Sequence, residues 1–149
     1  MTDIVDRKTR SRMMAGIRGK NTRPEIAIRR CLFARGFRYR LHVAGLPGCP
    51  DLVLAKHHAA VFVHGCFWHG HDCRLFRMPA DNRPFWVAKI RRNRARDREV
   101  LRELAQTGWR TLVIWECALH DGGEKVRGRV CRRAAVWLES RLQFFEIRG

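Results

Sequence analysis

The sequence predicts a single α/β domain in which a mixed central sheet is flanked by helices. Three observations predict it. Apolar runs of strand length recur at residues 51–54, 59–64 and 109–115, longer stretches repeat apolar residues every three or four positions, and the two patterns alternate along the chain. At 149 residues and 46% hydrophobic content, the chain suits one sizeable core and has no room for two.

Residues 1–21 are polar and basic, with Met13-Met14-Ala15-Gly16-Ile17 as their apolar patch, and read as an arm that settles on a partner. The folded domain is expected over residues 22–149. A helix starts at Thr22-Arg23-Pro24-Glu25, where Thr22 caps, Pro24 suits the first turn and Glu25 completes a capping box; Gly36 should stop it. Phe37 to Val43 alternates apolar and basic side chains, the pattern of a half-buried strand with a charged outer face. Leu46-Pro47-Gly48-Cys49-Pro50 is a turn. Asp51 to Leu54 and Ala59 to His64 are two more apolar strands, joined by a hairpin at Lys56-His57-His58.

A long helix is expected from Phe85 to Thr107, with Trp86, Ile90, Asp97, Leu101 and Leu104 on one line, Arg91, Arg92, Arg94 and Arg98 off it, and Gly108 as its stop. The strand Trp109–Trp115 follows, then a last helix from Glu124 to Leu142 with Val126, Val130, Ala134, Trp137 and Leu138 inward. This order, helix, three strands, helix, strand, helix, resembles the restriction-endonuclease-like core of many metal-dependent nucleases. In that core an acidic residue opens the second strand. Asp51 stands there, after Pro50, although the usual Glu-x-Lys is missing. An aspartate at a strand start is often only a turn former, so this dipeptide alone favours a structural reading of Asp51.

Charge narrows the partner. There are 31 Lys and Arg against 14 Asp and Glu, a net charge of +17, clustered at Arg7 to Arg30, Arg35 to Arg40 and Lys89 to Arg98. Such a surplus calls for a polyanion, and nucleic acid is the default. A membrane surface is disfavoured because no long apolar helix face accompanies the charge.

The densest chemistry lies in Gly65-Cys66-Phe67-Trp68-His69-Gly70-His71-Asp72-Cys73, with Trp115-Glu116-Cys117 far downstream. Cys66, His71 and Cys73 have C-x4-H-x-C spacing, and a tetrahedral zinc needs a fourth donor. Cys117, at the end of an apolar strand, is the best candidate. The competing reading is that these cysteines are ordinary small hydrophobes of the core. His69 and His64 remain, either as groups supporting a metal site or as catalytic bases. The N-terminal segment Met1-Thr2-Asp3-Ile4-Val5-Asp6 has acidic residues and no apolar signal-like run, so a cytoplasmic, reducing location is expected. Metal binding should then outrank disulfides, leaving Cys31 and Cys131 as thiols without a role.

Taken together, Leu46-Pro47-Gly48-Cys49-Pro50-Asp51, Val63 to Cys73 and Trp115-Glu116-Cys117 resemble the very short patch repair (Vsr) DNA mismatch endonuclease family. The likeness extends to Arg10-Ser11, Met14, Phe85-Trp86, Lys89-Ile90, Asn93 and Arg96-Asp97, and spans roughly residues 7 to 120. It implies Mg²⁺ held by Asp51 and the Val63 backbone carbonyl, with His69 acting on the attacking water and His64 and Glu25 in support. It implies a structural Zn²⁺ on Cys66, His71, Cys73 and Cys117. Phe67, Trp68 and Trp86 would wedge into duplex DNA from the major groove, Met14 from the minor groove, and Lys89 and Asn93 would lie near the mismatched pair.

The activity implied is nicking of one strand on the 5′ side of the thymine in a T:G mismatch left by 5-methylcytosine deamination. Residues 1–21 would then be a DNA-contacting arm, and the protein a monomer of the bacterial cytoplasm and nucleoid that meets other repair proteins on DNA. Two alternatives remain: a zinc-stabilised DNA-binding protein without cleavage, and a restriction-type nuclease acting on matched duplex. Two departures stand out. Cys49 occupies a position that is usually Lys or Arg in the family, and no motif is matched after about Asp121.

Overall fold

The computed structural model describes Asp6, Lys8, residues 20–120 and residues 122–149. Met14, with Arg10 and Ser11, lies outside the described residues, as does most of the arm expected over residues 1–21.

Helix α1, Arg23–Ala34, begins where the capping residues predict: the Glu25 backbone N–H donates to Thr22 Oγ1 at 3.4 Å. Strands β1 (Arg40–Leu41), β2 (Leu52–Leu54) and β3 (Ala59–His64) follow, with a short 3-10 turn at Ala55–His57 between the last two. Then come α2 (Arg83–Gln106), β4 (Arg110–Trp115), a 3-10 turn at Glu116–Ala118, α3 (Glu124–Glu139) and β5 (Phe144–Ile147). The five strands form one mixed sheet in the order β1-β2-β3-β4-β5, antiparallel from β1 to β3 and parallel from β3 to β5.

Period-two alternation divides the core between the two faces of this sheet. Leu52, Leu54, Val61, Leu112, Ile114 and Ile147 pack with Ile28 and Leu32 of α1 and Val130, Ala134, Trp137 and Leu138 of α3. Ala60, Phe62, Val113 and Trp115 turn the other way and meet Leu104 of α2. The sheet is thus a layer between α1 and α3 on one side and α2 on the other. Among the described residues, no helix is long and apolar enough to cross a membrane.

The fold departs from expectation in three places. The strand expected over 37–43 shrinks to Arg40–Leu41, because His42 turns the chain with φ +47°. The last helix stops at Glu139, not Leu142. Arg110 of β4 donates to Trp137 O at 2.7 Å, Leu138 O at 3.2 Å and Leu142 O at 3.1 Å, which satisfies the helix-end carbonyls and releases the chain into the unforeseen β5. Finally, Cys31 and Cys131, expected to be thiols without a role, are joined as a disulfide that ties α1 to α3. Their partnership arises because both project into the same buried layer from helices that lie against each other.

Candidate active site and metal centre

Two polar centres lie at the ends of β2, β3 and β4, where strands stop and their last side chains meet loops. The first is built around Asp51. Its Oδ2 accepts from the Val63 backbone N–H at 2.7 Å, which fixes the carboxylate across the gap where the β2–β3 ladder ends. Burial, with the Glu25 charge nearby, pushes its carboxyl up from the ordinary 3.8 to about 6, against the hydrogen bond from Val63. Extended past the Leu52–Val61 pair, the register places Val63 opposite Pro50, two residues further on. Pro50 has no N–H to give, so the ladder cannot supply a donor to the Val63 carbonyl.

Beside Asp51 lie two stacked imidazoles. The His64 and His69 rings are 3.8 Å apart and 4° from parallel. His69 Nδ1 is 2.6 Å from Asp97 Oδ2 on α2, which leaves His69 Nε2 free of that bond. Burial, and the neighbouring His69, drive His64 down from 6.5 to about 3, so its ring stays neutral. His64 Nδ1 is buried and finds no partner among the described residues. Asp51, Val63, His64, His69 and Asp97 line one cavity of about 280 Å³, with Lys20, His42, Cys49 and Arg96 at its walls.

Glu25 is 1% exposed. Its Oε2 accepts from the Asn21 backbone N–H at 2.9 Å, while Oε1 meets Arg29 and His42 Nε2, the latter at 2.5 Å. Burial alone would raise its carboxyl; Arg29 and His42 outweigh this and hold it below the ordinary range.

The second centre joins Cys66, His71, Cys73 and Cys117, whose donor atoms all lie within 4.8 Å of one another. His71 Nδ1 is 3.6 Å from Cys66 Sγ and 3.5 Å from Cys117 Sγ. A tetrahedral centre with metal–sulfur distances of about 2.3 Å and metal–nitrogen distances of about 2.0 Å has an S···N edge of about 3.5 Å. The cluster therefore has the dimensions to hold a metal ion. Burial raises the Cys66 thiol, opposing the thiolate that a bound cation would stabilise. The backbone N–H groups of Cys117 and Gly149 each point at a sulfur, at 3.3 Å from Cys66 Sγ and Cys117 Sγ respectively.

The loop that carries Cys66 and His69 also carries an aromatic group. Phe67 lies 5.1 Å from Trp68 and 5.4 Å from Trp86, centroid to centroid, and all three rings are half-buried. The loop is strapped to one face of α2: Asn93 Nδ2 donates to Trp68 O at 2.8 Å, Lys89 Nζ sits 6.0 Å above the Trp68 ring, and Asp97 holds His69. Gly70, at φ +60°, lets the loop approach so closely that a Cβ there would lie 2.5 Å from Ile90 Cγ2.

Of the site residues read from sequence, Asp51, Val63, His64 and His69 line the first cavity, and Glu25 clusters with Asp51. Cys66, His71, Cys73 and Cys117 form the second centre, and Phe67, Trp68, Trp86, Lys89 and Asn93 meet along α2. Sequence reasoning missed two. Asp97 was placed among inward apolar positions, and a charge on that line was the signal for a buried partner. His42 was absorbed into the charged face of a strand.

A family model described as DNA mismatch endonuclease Vsr matches residues 2–75. The chain is 43% identical to the DNA mismatch endonuclease Vsr of Escherichia coli (strain K12) over 138 residues, 93% of this chain and 88% of that protein. The chain belongs to the Vsr family. It is accordingly a DNA endonuclease, a hydrolase. Among other Vsr relatives, the type II nicking enzyme V.XorIIP of Xanthomonas oryzae pv. oryzae is 47% identical over 83% of this chain and 90% of its own length. The type II nicking enzyme V.NmeAIP of Neisseria meningitidis serogroup A is 44% identical over 81% of this chain and 86% of its own.

Proposed function

We propose that this Vsr-family chain nicks one strand of duplex DNA on the 5′ side of the thymine of a T:G mismatch and so initiates very short patch repair. The observation that carries the reading is the convergence of Asp51, Val63 and the His69–Asp97 pair on one cavity, beside an aromatic group strapped to α2. We further propose a restriction-endonuclease-like core over residues 22–149, a DNA-contacting arm over residues 1–21, and a monomer acting in the cytoplasm, on the nucleoid, in contact with other repair proteins.

In this reading Asp51 and the Val63 carbonyl hold Mg²⁺, which supplies Lewis-acid polarisation of the scissile phosphate. The donor set fits, since both groups are hard oxygens and Pro50 leaves the carbonyl without a ladder donor. His69 donates its Nδ1–H to Asp97 and keeps Nε2 as the acceptor for the attacking water's proton; the developing imidazolium is then balanced by Asp97. His64, held neutral, packs its face against His69 and limits the ring's rotation without adding charge. Glu25 stays ionised in support of Asp51.

Zn²⁺ is the ion assigned to Cys66, His71, Cys73 and Cys117, on the strength of an N/S donor set with tetrahedral edges. Its role is to anchor both sides of Phe67 and Trp68. Those rings and Trp86 enter the duplex at the mismatch from the major groove, Met14 from the minor groove, while Lys89 and Asn93 lie near the mismatched pair. A wobble pair is easier to unstack than a Watson–Crick pair, and stacking a base on an aromatic ring returns about 1–3 kcal/mol. Deformability thereby becomes specificity.

The test is an end-labelled duplex carrying T:G compared with its matched counterpart, with and without Mg²⁺. A single-strand nick in the mismatched duplex alone, dependent on Mg²⁺, is the expected result. Double-strand cutting of matched DNA would instead mark a restriction-type nuclease. Binding without any cleavage would mark a zinc-stabilised DNA-binding protein.

A further inference from the structure

His42 has no part in the chemistry above, yet it lines the same cavity as Asp51. It sits just beyond β1 at φ +47°, a conformation that residues with a side chain keep only where their surroundings impose it. Its backbone N–H donates to Asp51 O at 3.2 Å, and its Nε2 lies 2.5 Å from Glu25 Oε1. Donor atoms of Glu25, His42 and Asp51 all lie within 4.8 Å of one another. They come from three separate places in the chain, α1, the end of β1 and the start of β2, so helical or strand periodicity does not account for the convergence.

We propose that His42 Nε2 and the Glu25 carboxylate join Asp51 as direct ligands of the active-site divalent cation, and that the centre therefore prefers Mn²⁺ to Mg²⁺. Use of the ion in cleavage rests on the endonuclease reading; its ligation does not. Mg²⁺ favours an octahedron of oxygens and parts reluctantly with its water, whereas imidazole nitrogen suits transition ions. At metal–ligand distances of about 2.1 Å an octahedral edge is about 3 Å, so the Glu25–His42 contact needs to open by about half an ångström to admit the ion.

Arg29 opposes this. Its guanidinium bonds Glu25 Oε1 and approaches His42 Nε2 at 3.3 Å, so it brings a positive charge to the same two atoms that an ion would take. It also holds Asn21 Oδ1, an outer partner it can keep while withdrawing from Glu25. Arg29 therefore competes with the ion, and its removal strengthens binding, whereas a purely structural cluster would lose order.

The experiment uses the full chain with its Cys/His metal in place and without DNA. Mn²⁺ and Mg²⁺ binding are measured by titration calorimetry, and the Mn²⁺-loaded protein is examined by electron spin-echo spectroscopy for coupling to ¹⁴N. The expected results are at least tenfold tighter binding of Mn²⁺ than of Mg²⁺ and a ¹⁴N coupling in the native protein. His42→Gln should lose the coupling and about tenfold in Mn²⁺ affinity with little change for Mg²⁺, and Arg29→Ala should bind Mn²⁺ more tightly. Absence of nitrogen coupling in the native protein, or its persistence in His42→Gln, overturns the proposal; the first readout needs no variant to fold. Nicking in Mg²⁺ with no ¹⁴N coupling leaves the endonuclease reading standing and removes this one. A ¹⁴N-coupled Mn²⁺ site with no nicking in either ion does the reverse.

Discussion

At the scale of single residues, Asp51 carries the sharpest expectations. Raising its carboxyl from 3.8 to about 6 costs the fold, without added divalent ions, on the order of 3 kcal/mol at neutral pH. The folded state binds this proton more tightly than the unfolded chain, so the group's contribution to stability falls as pH rises from about 4 to about 6. Asp51→Asn, whose amide oxygen can still accept from Val63, should therefore melt higher than the native chain at pH 7, with the difference fading below pH 4. A native chain that melts higher at pH 7 would contradict the buried placement of this carboxylate. The same variant should bind a T:G duplex and fail to nick it.

For His69, replacement by Ala should lower the nicking rate by about 10²–10⁴-fold with duplex affinity little changed, as expected for loss of a general base. Asp97→Asn should lower the rate less, because the ring remains but its tautomer is no longer enforced. Single-turnover rates with pre-bound duplex check both. Such roles were readable unevenly. The spacing of Cys66, His71 and Cys73 pointed to a shared cluster while leaving ordinary core thiols open, but Asp97 was hidden because it falls on the apolar line of its helix. His42 was hidden because alternation made it another outward cation, and only a reversed backbone angle turns it inward.

At the scale of elements, α2 decides whether the loop and its rings have a fixed position. Gly70→Ala places a Cβ 2.5 Å from Ile90 Cγ2 and 2.9 Å from Arg94 Cδ at a backbone angle that disfavours it. We expect a loss of about 1–3 kcal/mol in stability from this overpacking, measured by urea denaturation, and weaker discrimination between mismatched and matched duplex. Undiminished discrimination would show that the loop does not depend on α2. Helix starts and the hairpin were legible because Thr22, Pro24 and the Lys56-His57-His58 turn carry local backbone preferences. The end of α3 and strand β5 were not. Both depend on Arg110, more than two dozen residues earlier in the chain than its carbonyl partners, and local pattern does not contain such a contact. Phe144-Phe145-Glu146-Ile147 also lacks clean alternation, since β5 lies at the sheet edge with Phe144 exposed.

At the scale of the whole molecule, the net charge of +17 governs how DNA is met. If six to ten phosphates are contacted, the affinity should fall by about 10³–10⁵ between 50 and 200 mM salt. Fluorescence anisotropy of a labelled duplex over a salt series measures the slope. A flat dependence would remove the polyanion as the reason for the charge. Because that term is blind to sequence, matched and mismatched duplexes should share the slope and differ in intercept.

One ring links the two chemistries. The Trp115 indole stacks on His71 at 3.9 Å and meets His64 and His69 edge-on at 5.2 and 6.2 Å, with its Nε1 donating to Glu146 Oε1 at 3.0 Å. The Cys/His cluster and the stacked imidazole pair consequently share a keystone, and neither can be retuned by evolution or by an engineer without disturbing the alignment of the other.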